Sequence, residues 1–234
     1  MMGAKRYFAI MPAAGVGERM AAGRPKQYLP LCGRPVLYHA LAVLAAEPRI
    51  ERVVVVLAPQ DTHWAQYDWS ELGDQIEPVL TGGASRAASV LAGLRHLSEV
   101  ARESDWVLVH DGARPCLALW HLEKLINTLS DDEVGGLLAV PVGDTLKRAG
   151  AKGTALETVP REGLWRAQTP QMFRYIMLRR ALESFPQATD ESGAIEAAGL
   201  HPRLVEADNT NFKLTWPQDL YLAEQVLQSR IEED

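Results

Sequence analysis

The sequence predicts an α/β fold: a mostly parallel open sheet with helices on both faces, plus a protruding β-arm. Short apolar runs alternate along the chain with longer segments whose apolar residues recur at helical spacing. Runs such as the four valines at 53–56 show no polar alternation, which is typical of parallel strands buried on both faces. Two strand-like runs around a glycine-containing turn, at about 143–161, predict the arm.

The elements before the arm follow one rhythm. We predict strands at 7–11, 52–57, 76–80, 106–109 and 137–142, and helices at 35–46, 84–101 and 117–129. In the second helix, Ala87, Val90, Leu91, Leu94 and Leu97 lie at helical spacing. A regular alternation of strands and helices favours an open sheet whose strands are mostly parallel.

The arm interrupts this rhythm with strand-like runs at 144–148 and 155–159. An isolated two-stranded ribbon is marginal in water, so the arm should pack on something, and a second subunit is a natural candidate. Helices are then predicted at 174–185, 190–198 and 218–230, and strands at 203–206 and 212–215. Because no linker or repeat divides the chain, we predict one domain over residues 1–234.

Composition narrows the class of partner. The chain has 234 residues, 47% of them hydrophobic, and a formal net charge of −6, so a basic surface for nucleic acid is not expected. No apolar run approaches the roughly 20 residues of a membrane span, and the N-terminus leads into the first strand without a signal-peptide pattern. Cys32 and Cys116 are too few for a disulfide framework, which favours reduced thiols and a cytoplasmic location.

Small residues follow the first predicted strand, at Pro12, Ala13, Ala14, Gly15 and Gly17. Small side chains let backbone N–H groups approach a phosphate or a base closely. The segment lacks the Lys-Ser/Thr ending of a Walker loop and the third glycine of the dinucleotide-binding fingerprint. Taken alone, such a glycine pair after a strand is more often only a turn.

Two cations follow these glycines. Arg19 and Lys26 lie in an otherwise apolar neighbourhood, and Pro25 stiffens the approach to Lys26. Nucleotidyl transfer depends mainly on positive charge aimed at the oxygens where negative charge grows. The alternative, that both are solvated surface cations, remains open on the sequence alone.

Asp111 directly follows the predicted strand 106–109 and His110. Ligands of open α/β sheets bind beyond the carboxyl ends of the strands, and a single carboxylate there suits Mg²⁺. Asp111 could equally cap the next helix. His110 fits a structural role better than a catalytic one.

Gly82 and Gly83 precede the helix predicted from residue 84, so they form a candidate site for an anion or a base. Ser85 could instead be only an N-cap. The six histidines are scattered, and none pairs with a serine or cysteine in a nucleophile motif. A substrate that attacks through a phosphate oxyanion needs no general base, so this pattern is consistent with nucleotidyl transfer.

Sequence blocks along nearly the whole chain resemble those of 2-C-methyl-D-erythritol 4-phosphate cytidylyltransferases. The opening block, Pro-Ala-Ala-Gly-Val-Gly-Glu-Arg-Met at 12–20 with Pro-Lys-Gln-Tyr-Leu at 25–29, occurs across related nucleotidyltransferases. More specific blocks follow in matching order at 106–116, 141–147, 164–173, 189–191 and 211–215.

The resemblance implies a Rossmann-like α/β domain whose β-arm clasps a second subunit in a homodimer. It also implies transfer of CMP from CTP to 2-C-methyl-D-erythritol 4-phosphate, with Mg²⁺. It implies catalytic roles for Arg19, Lys26 and Lys213, and a metal-binding role for Asp111. It implies nucleotide binding by Pro12, Ala13, Ala14, Gly15, Gly17, Gly82, Gly83, Ser89, Asp111, Gly112 and Ala113. It implies acceptor binding by Arg114, Thr145, Arg161, Thr169, Thr189 and Lys213, with Thr145 and Arg161 reaching the partner's site.

The chain departs from the family pattern at Ala84 and Ala88, where Asp or Glu is frequent, so no polar contact to the base or ribose is assigned there. Two other functions stay open at this point. One is a cytidylyltransferase for another polyol phosphate, such as ribitol 5-phosphate. The other is a nucleotide-binding regulator without catalysis.

Overall fold

A seven-stranded sheet lies at the centre of this computed structural model, which describes residues 5–15 and 24–233. The strands are β1 (Tyr7–Pro12), β2 (Pro30–Leu31), β3 (Arg34–Pro35), β4 (Ile50–Val56), β5 (Ile76–Val79), β6 (Trp106–Val109), β7 (Gly135–Pro141), β8 (Leu146–Ala149), β9 (Ala155–Val159), β10 (Trp165–Arg174) and β11 (Arg203–Glu206). The central sheet has the order β11-β7-β10-β6-β1-β4-β5. Strands β2 and β3 form a small separate ribbon, as do β8 and β9.

Most neighbours in the central sheet are parallel. Strand β1 lies between β4 and β6 and is parallel to both, with Ile10 opposite Val54 and Val109. Strands β4 and β5 are parallel, as are β7 and β11, whereas β10 runs antiparallel to β6 and β7. The predicted Rossmann-like, mostly parallel sheet is therefore confirmed.

Helices cover both faces of this sheet. They are α1 (Val36–Ala46), α2 (Arg86–His96), α3 (Leu119–Leu129), α4 (Tyr175–Ser184), α5 (Glu191–Ala197) and α6 (Asp219–Glu233). Helices α1 and α3 contribute to one buried cluster, and α2, α4 and α5 contribute to the cluster on the opposite face. Across the described ranges, no helix has both the length and the apolar character that a membrane span requires.

The valine run of β4 shows why the central strands are apolar throughout. Val53 and Val55 belong to the cluster beneath α1 and α3, whereas Val54 and Val56 belong to the cluster beneath α2, α4 and α5. Successive side chains of a strand point to opposite faces, so a sheet covered on both faces needs an apolar residue at every position. The absence of alternation at 53–56 thus follows from the three-layer architecture.

The arm is built differently. Strands β8 and β9 pair antiparallel with each other, and most of their residues are exposed. The hairpin's side-chain contacts are internal, for example from Lys147 to Thr158 and from Arg148 to Glu157. Leu156 is 66% exposed, so this ribbon contributes little to the hydrophobic core of its own chain.

One predicted strand is wrong, and one strand of the central sheet was not predicted. The strand predicted at 212–215 is irregular chain, tied to the loop after β6 by a hydrogen bond from the Leu214 amide to the Ala113 carbonyl. Strand β10 was not predicted, because its sequence mixes polar residues with Pro170, and a proline argues against an interior strand. A register shift between Ala167 and Gln171 accommodates the proline within the sheet.

Candidate active site

A pocket of about 670 Å³ opens beyond the carboxyl ends of β1 and β6. Its walls come from the segments after both strands, the first turn of α2 and the irregular segment near residue 214. Among the predicted site residues, those that line it are Pro12, Ala13, Ala14, Gly15, Lys26, Gly83, Ser89, Asp111, Gly112, Ala113 and Lys213. Gly17 and Arg19 lie outside the described residues. The volume is in the range of small-ligand sites and accommodates a nucleotide.

Gln27 fastens the loop that follows β1. Its side-chain amide is buried and donates to the carbonyls of Ala13 and Gly15, at 2.6 and 3.0 Å. These bonds satisfy two carbonyl oxygens that would otherwise repel an anion in the pocket. Gln27 belongs to the resemblance motif at 25–29 but had no predicted role, because its burial is visible only in the tertiary structure.

The second glycine segment, Gly82 and Gly83, is also closely packed. A Cβ on Gly82 would overlap the Cβ of Ala14, and one on Gly83 would overlap the Cβ of Ala88, so both positions need glycine. The Gly83 amide donates to the hydroxyl of Ser89, which donates in turn to the Ser85 carbonyl. Gly82 therefore supports the pocket without lining it.

The side chain of Ser85 accepts a hydrogen bond from the Ala88 amide, so its predicted capping of α2 is confirmed, and Ser85 also lines the pocket. Asp111 is not an N-cap, because α3 begins at Leu119 with Ala118 as its capping residue. Of the two interpretations of Asp111 that the sequence left open, capping is thus wrong.

The carboxylate of Asp111 pairs with two cations at the pocket. Its Oδ1 accepts from Arg86 Nε and its Oδ2 from Lys213 Nζ, both at 2.7 Å. Burial alone would raise the pKa of this carboxyl, but Arg86 and Lys213 outweigh burial and hold the pKa well below its usual range. Asp111 is consequently a carboxylate at any pH near neutrality.

Arg86 also binds a second buried carboxylate. Its Nη1 and Nη2 donate to the two oxygens of Glu191 at 2.6 and 2.9 Å. Arg86 occupies the first position of α2, where a cation opposes the helix dipole. A cation in the first turn of a predicted helix indicates that a carboxylate compensates its charge. No role was predicted for Arg86 from the sequence.

Two lysines complete the charge pattern. Lys26 is half-buried, lines the pocket and donates from Nζ to the Leu214 carbonyl at 2.9 Å, so it is not a solvated surface cation. Lys213 lies one residue away from that carbonyl and binds Asp111. The irregular segment at 212–215 therefore brings both ammonium groups to one pocket, which a regular strand prediction could not anticipate.

His110 and Thr169 support the Asp111 loop from below. The buried His110 ring contacts the Arg114 carbonyl through Nε2 and the Thr169 hydroxyl through Nδ1, and the same hydroxyl accepts from the Asp111 amide. Because a carbonyl can only accept, Nε2 carries the proton and Nδ1 accepts. Burial lowers the pKa of His110 to about 4, which keeps the ring neutral and structural.

The predicted acceptor residues do not all lie in one place. Arg114 is largely buried next to this loop, and its Nη1 donates to the Asn211 carbonyl at 2.7 Å. Burial lowers the pKa of Arg114, and its Nε has no hydrogen-bond partner within the described chain. Thr189 is exposed just before α5. Thr145 and Arg161 lie at the two ends of the arm, where Arg161 donates to the Gly143 carbonyl.

An open α/β sheet with a cation-rich pocket at the carboxyl ends of its strands defines a protein of the nucleotide-binding α/β class. The model of the 2-C-methyl-D-erythritol 4-phosphate cytidylyltransferase family matches residues 7–229. The chain belongs to this family, so it is a member of a nucleotidyltransferase family.

Individual relatives agree with this assignment. The chain is 63% identical over 225 residues to the 2-C-methyl-D-erythritol 4-phosphate cytidylyltransferase of Aromatoleum aromaticum, covering 96% of this chain and 97% of that protein. It is 61% identical to the enzyme of the same name from an Azoarcus species, covering 96% and 95%. These likenesses extend over the pocket and the arm alike.

Solved structures give the same result. A crystal structure of a 4-diphosphocytidyl-2C-methyl-D-erythritol synthase matches with a TM-score of 0.85 and 39% identity, over 96% of this chain and 99% of that one. The cytidylyltransferase from Thermus thermophilus matches with a TM-score of 0.77 and 31% identity, over 95% and 99%.

Proposed function

We propose that this chain transfers CMP from CTP to 2-C-methyl-D-erythritol 4-phosphate and releases pyrophosphate, a step of isoprenoid precursor synthesis. Membership of the family over nearly the whole chain is the observation that carries the proposal. The pocket supports it, because an anchored carboxylate faces two lysines at the place where open sheets bind nucleotides.

The nucleotide lies, in this proposal, along the backbone of 12–15 and 82–83. Gln27 binds the Ala13 and Gly15 carbonyls, and the Ala13 amide already donates to the Val56 carbonyl, so the amides of Ala14 and Gly15 are the ones proposed to face the phosphates. Ser89 keeps the Gly83 segment in place, and Gly112 and Ala113 form the wall after β6. Gly17 is proposed to extend the first segment.

The reaction is an in-line displacement at the α-phosphorus of CTP. An oxygen of the acceptor phosphate forms the new O–P bond while the bond to the bridging oxygen of pyrophosphate breaks. The acceptor oxygen is already anionic, so no proton has to be removed. Lys26 and Lys213, with Arg19, stabilise the charge that grows on the α-phosphate and on the departing pyrophosphate.

Mg²⁺ is the proposed cofactor, held by Asp111. The residues fit this ion, since Asp111 is ionised, lines the pocket and retains lone pairs beyond those used by Arg86 and Lys213. No group of three or more His, Cys, Asp or Glu side chains within 5–15 and 24–233 could hold a metal unaided, so triphosphate oxygens and water would complete its ligands. Bound there, the ion neutralises triphosphate charge.

Arg114 is the strongest candidate for the acceptor phosphate among the described residues. Its hydrogen bonds go to carbonyl groups, and a buried guanidinium of this kind is suited to a phosphate partner. Thr169 and Thr189 flank it in the proposal, and Lys213 is shared with the nucleotide. Thr145 and Arg161 would reach the acceptor from the arm of a second subunit.

A homodimer formed through the arm is the proposed assembly. Leu156, Leu164 and Trp165 are exposed on the arm and at its base, and β8 and β9 pair only with each other within the described sheets. A second copy would cover these apolar side chains. A cytoplasmic location stays a prediction from cysteine usage.

The test is pyrophosphate release on mixing the protein with CTP, MgCl₂ and 2-C-methyl-D-erythritol 4-phosphate. Ribitol 5-phosphate at equal concentration serves as the competing acceptor, and light scattering reports the assembly. Preference for ribitol 5-phosphate would move the function to another polyol phosphate. CTP binding without turnover would identify a nucleotide-binding regulator instead.

A further inference from the structure

We propose that Arg86 and Glu191 act as a positioning pair, in which Glu191 anchors the guanidinium that holds Asp111 in place for a divalent cation and CTP. This inference rests on the proposed function. It assigns a part in nucleotide binding to Glu191, a side chain that does not line the pocket in the described structure.

Glu191 is a rigid anchor. It occupies the first position of α5, where the helix dipole favours an acidic side chain, and its side chain is 0% exposed. The start of α5 is fastened to β10, because Gln171 donates to the Asp190 carboxylate at 2.9 Å and accepts from the Ser192 amide at 2.7 Å. The position of Glu191 is therefore fixed by the central sheet.

Arg86 links the Glu191 carboxylate to the Asp111 carboxylate in the pocket. Its three nitrogens are directed at carboxylates, two at Glu191 and one at Asp111, with separations of 2.6 to 2.9 Å. The planar guanidinium fixes the angle between its two partners, which a lysine ammonium could not do. With its nitrogens engaged in this way, Arg86 positions Asp111 and is not itself assigned to the substrate.

Glu191 also shares the charge of Arg86. If Glu191 is made neutral, the guanidinium loses its bidentate anchor and pairs with Asp111 alone. A divalent cation must then compete with a fully available arginine for the same carboxylate. Loss of the anchor should accordingly weaken the binding of the metal–nucleotide complex more than the binding of the nucleotide alone.

The chain contains a matched control. Glu47 is another buried glutamate, with a side chain 1% exposed, and it accepts from Arg49 Nε and Nη2 at 2.6 and 2.8 Å. This pair lies beyond α1 and does not line the pocket. Glu47→Gln and Arg49→Lys therefore reproduce the chemical changes without touching Asp111.

The experiment compares Glu191→Gln and Arg86→Lys with Glu47→Gln, Arg49→Lys and the wild type. CTP is titrated by calorimetry with MgCl₂ and separately with EDTA, and thermal melts verify folding. We expect Glu191→Gln and Arg86→Lys to raise the MgCl₂ concentration for half-maximal CTP binding on the order of tenfold, as outer-shell partners of metal ligands do. CTP affinity in EDTA should change much less, and the double variant should add little to the larger single effect.

Equal losses with MgCl₂ and with EDTA would overturn the inference, and so would a Glu191→Gln result that matches Glu47→Gln. Wild-type CTP binding that is independent of MgCl₂ would overturn it too. If Glu191→Gln does not fold, Glu191→Asp, which keeps the charge but shortens the anchor, takes its place with the same expectation. The proposed transfer is tested separately, by pyrophosphate release from the wild type.

Discussion

The pocket and the arm differ in whether their charged and apolar side chains are buried within the chain. At the pocket, Asp111 is buried, as is Glu191 behind it, and cations from the same chain neutralise both carboxylates at 2.6 to 2.9 Å. In the arm, charged pairs such as Arg148 with Glu157 are exposed, and Leu156 faces solvent. The buried carboxylates are paired with cations of a single chain, whereas the arm presents apolar surface that a second copy would cover.

This difference separates two kinds of mutational effect. A change in the pocket acts on charges buried in each chain, so its effect should not depend on protein concentration. A change in the arm acts on association, so its effect should grow on dilution.

Removal of a cation proposed to stabilise the transition state should have the largest effect. We expect Lys26→Ala, Lys213→Ala and Arg19→Ala each to lower kcat on the order of 10²-fold or more, the scale for losing one group that stabilises the transition state. Lys124→Ala is the control, because Lys124 also donates to a carbonyl but lies on the exposed surface. Steady-state pyrophosphate release measures the effect, and near-normal turnover of Lys26→Ala would count decisively against the mechanism.

Buried His110 predicts a pH dependence of stability. The unfolded chain binds a proton at this imidazole below about pH 6.5, whereas burial lowers the native pKa to about 4. The free energy of unfolding should therefore fall as the pH drops from about 6.5 to 4, by on the order of 3 kcal/mol, and this contribution should be fully present above pH 6.5.

Urea unfolding of metal-free protein between pH 7.5 and 4.5 tests this expectation. His110→Gln should lose less stability over that range than the wild type, because its side chain does not titrate. His201→Gln, at an exposed position, should retain the wild-type slope. Identical slopes for His110→Gln and wild type would contradict the assigned cause.

A charge on the arm should weaken association. We expect Leu156→Asp to raise the dimer dissociation constant by about tenfold, the scale for losing one buried leucine contact at an interface. Sedimentation at several protein concentrations measures it. Leu204→Asp, on the edge strand β11 of the central sheet, is the matched control at an exposed leucine outside the arm. An unchanged assembly in Leu156→Asp would remove the arm from the interface.

Mixing two inactive variants should show whether the arm of one chain serves the pocket of its partner. If Arg161 serves the partner's pocket, a mixed dimer of Lys26→Ala and Arg161→Ala contains one intact site, and random exchange should restore about a quarter of wild-type activity. An arm that serves its own pocket would leave the mixture inactive. Each variant alone, incubated and assayed identically, is the control.

Much of the fold could be predicted because it depends on local patterns. The valine run of β4 reflects burial on both faces of a strand, and the helical spacing in α2 reflects burial on one face of a helix. Both patterns are visible directly in the residue order. The strand over 106–109 and the hairpin of the arm followed from the same reasoning. Strand β10 could not be found in this way, because its neighbours β6 and β7 supply the pairing that its own composition does not favour.

Periodicity and strand direction are properties of contiguous residues, so the residue order was enough to predict the layered α/β architecture, the small residues after β1 and the placement of Asp111 at the end of a strand. Which charges meet depends on tertiary packing. Arg86 bridges Asp111 and Glu191, which lies 105 residues from Arg86 in the chain, and Lys213 reaches Asp111 from 102 residues away. Such pairings depend on how distant segments pack, and a buried carboxylate acquires its chemistry from the cations that packing brings to it.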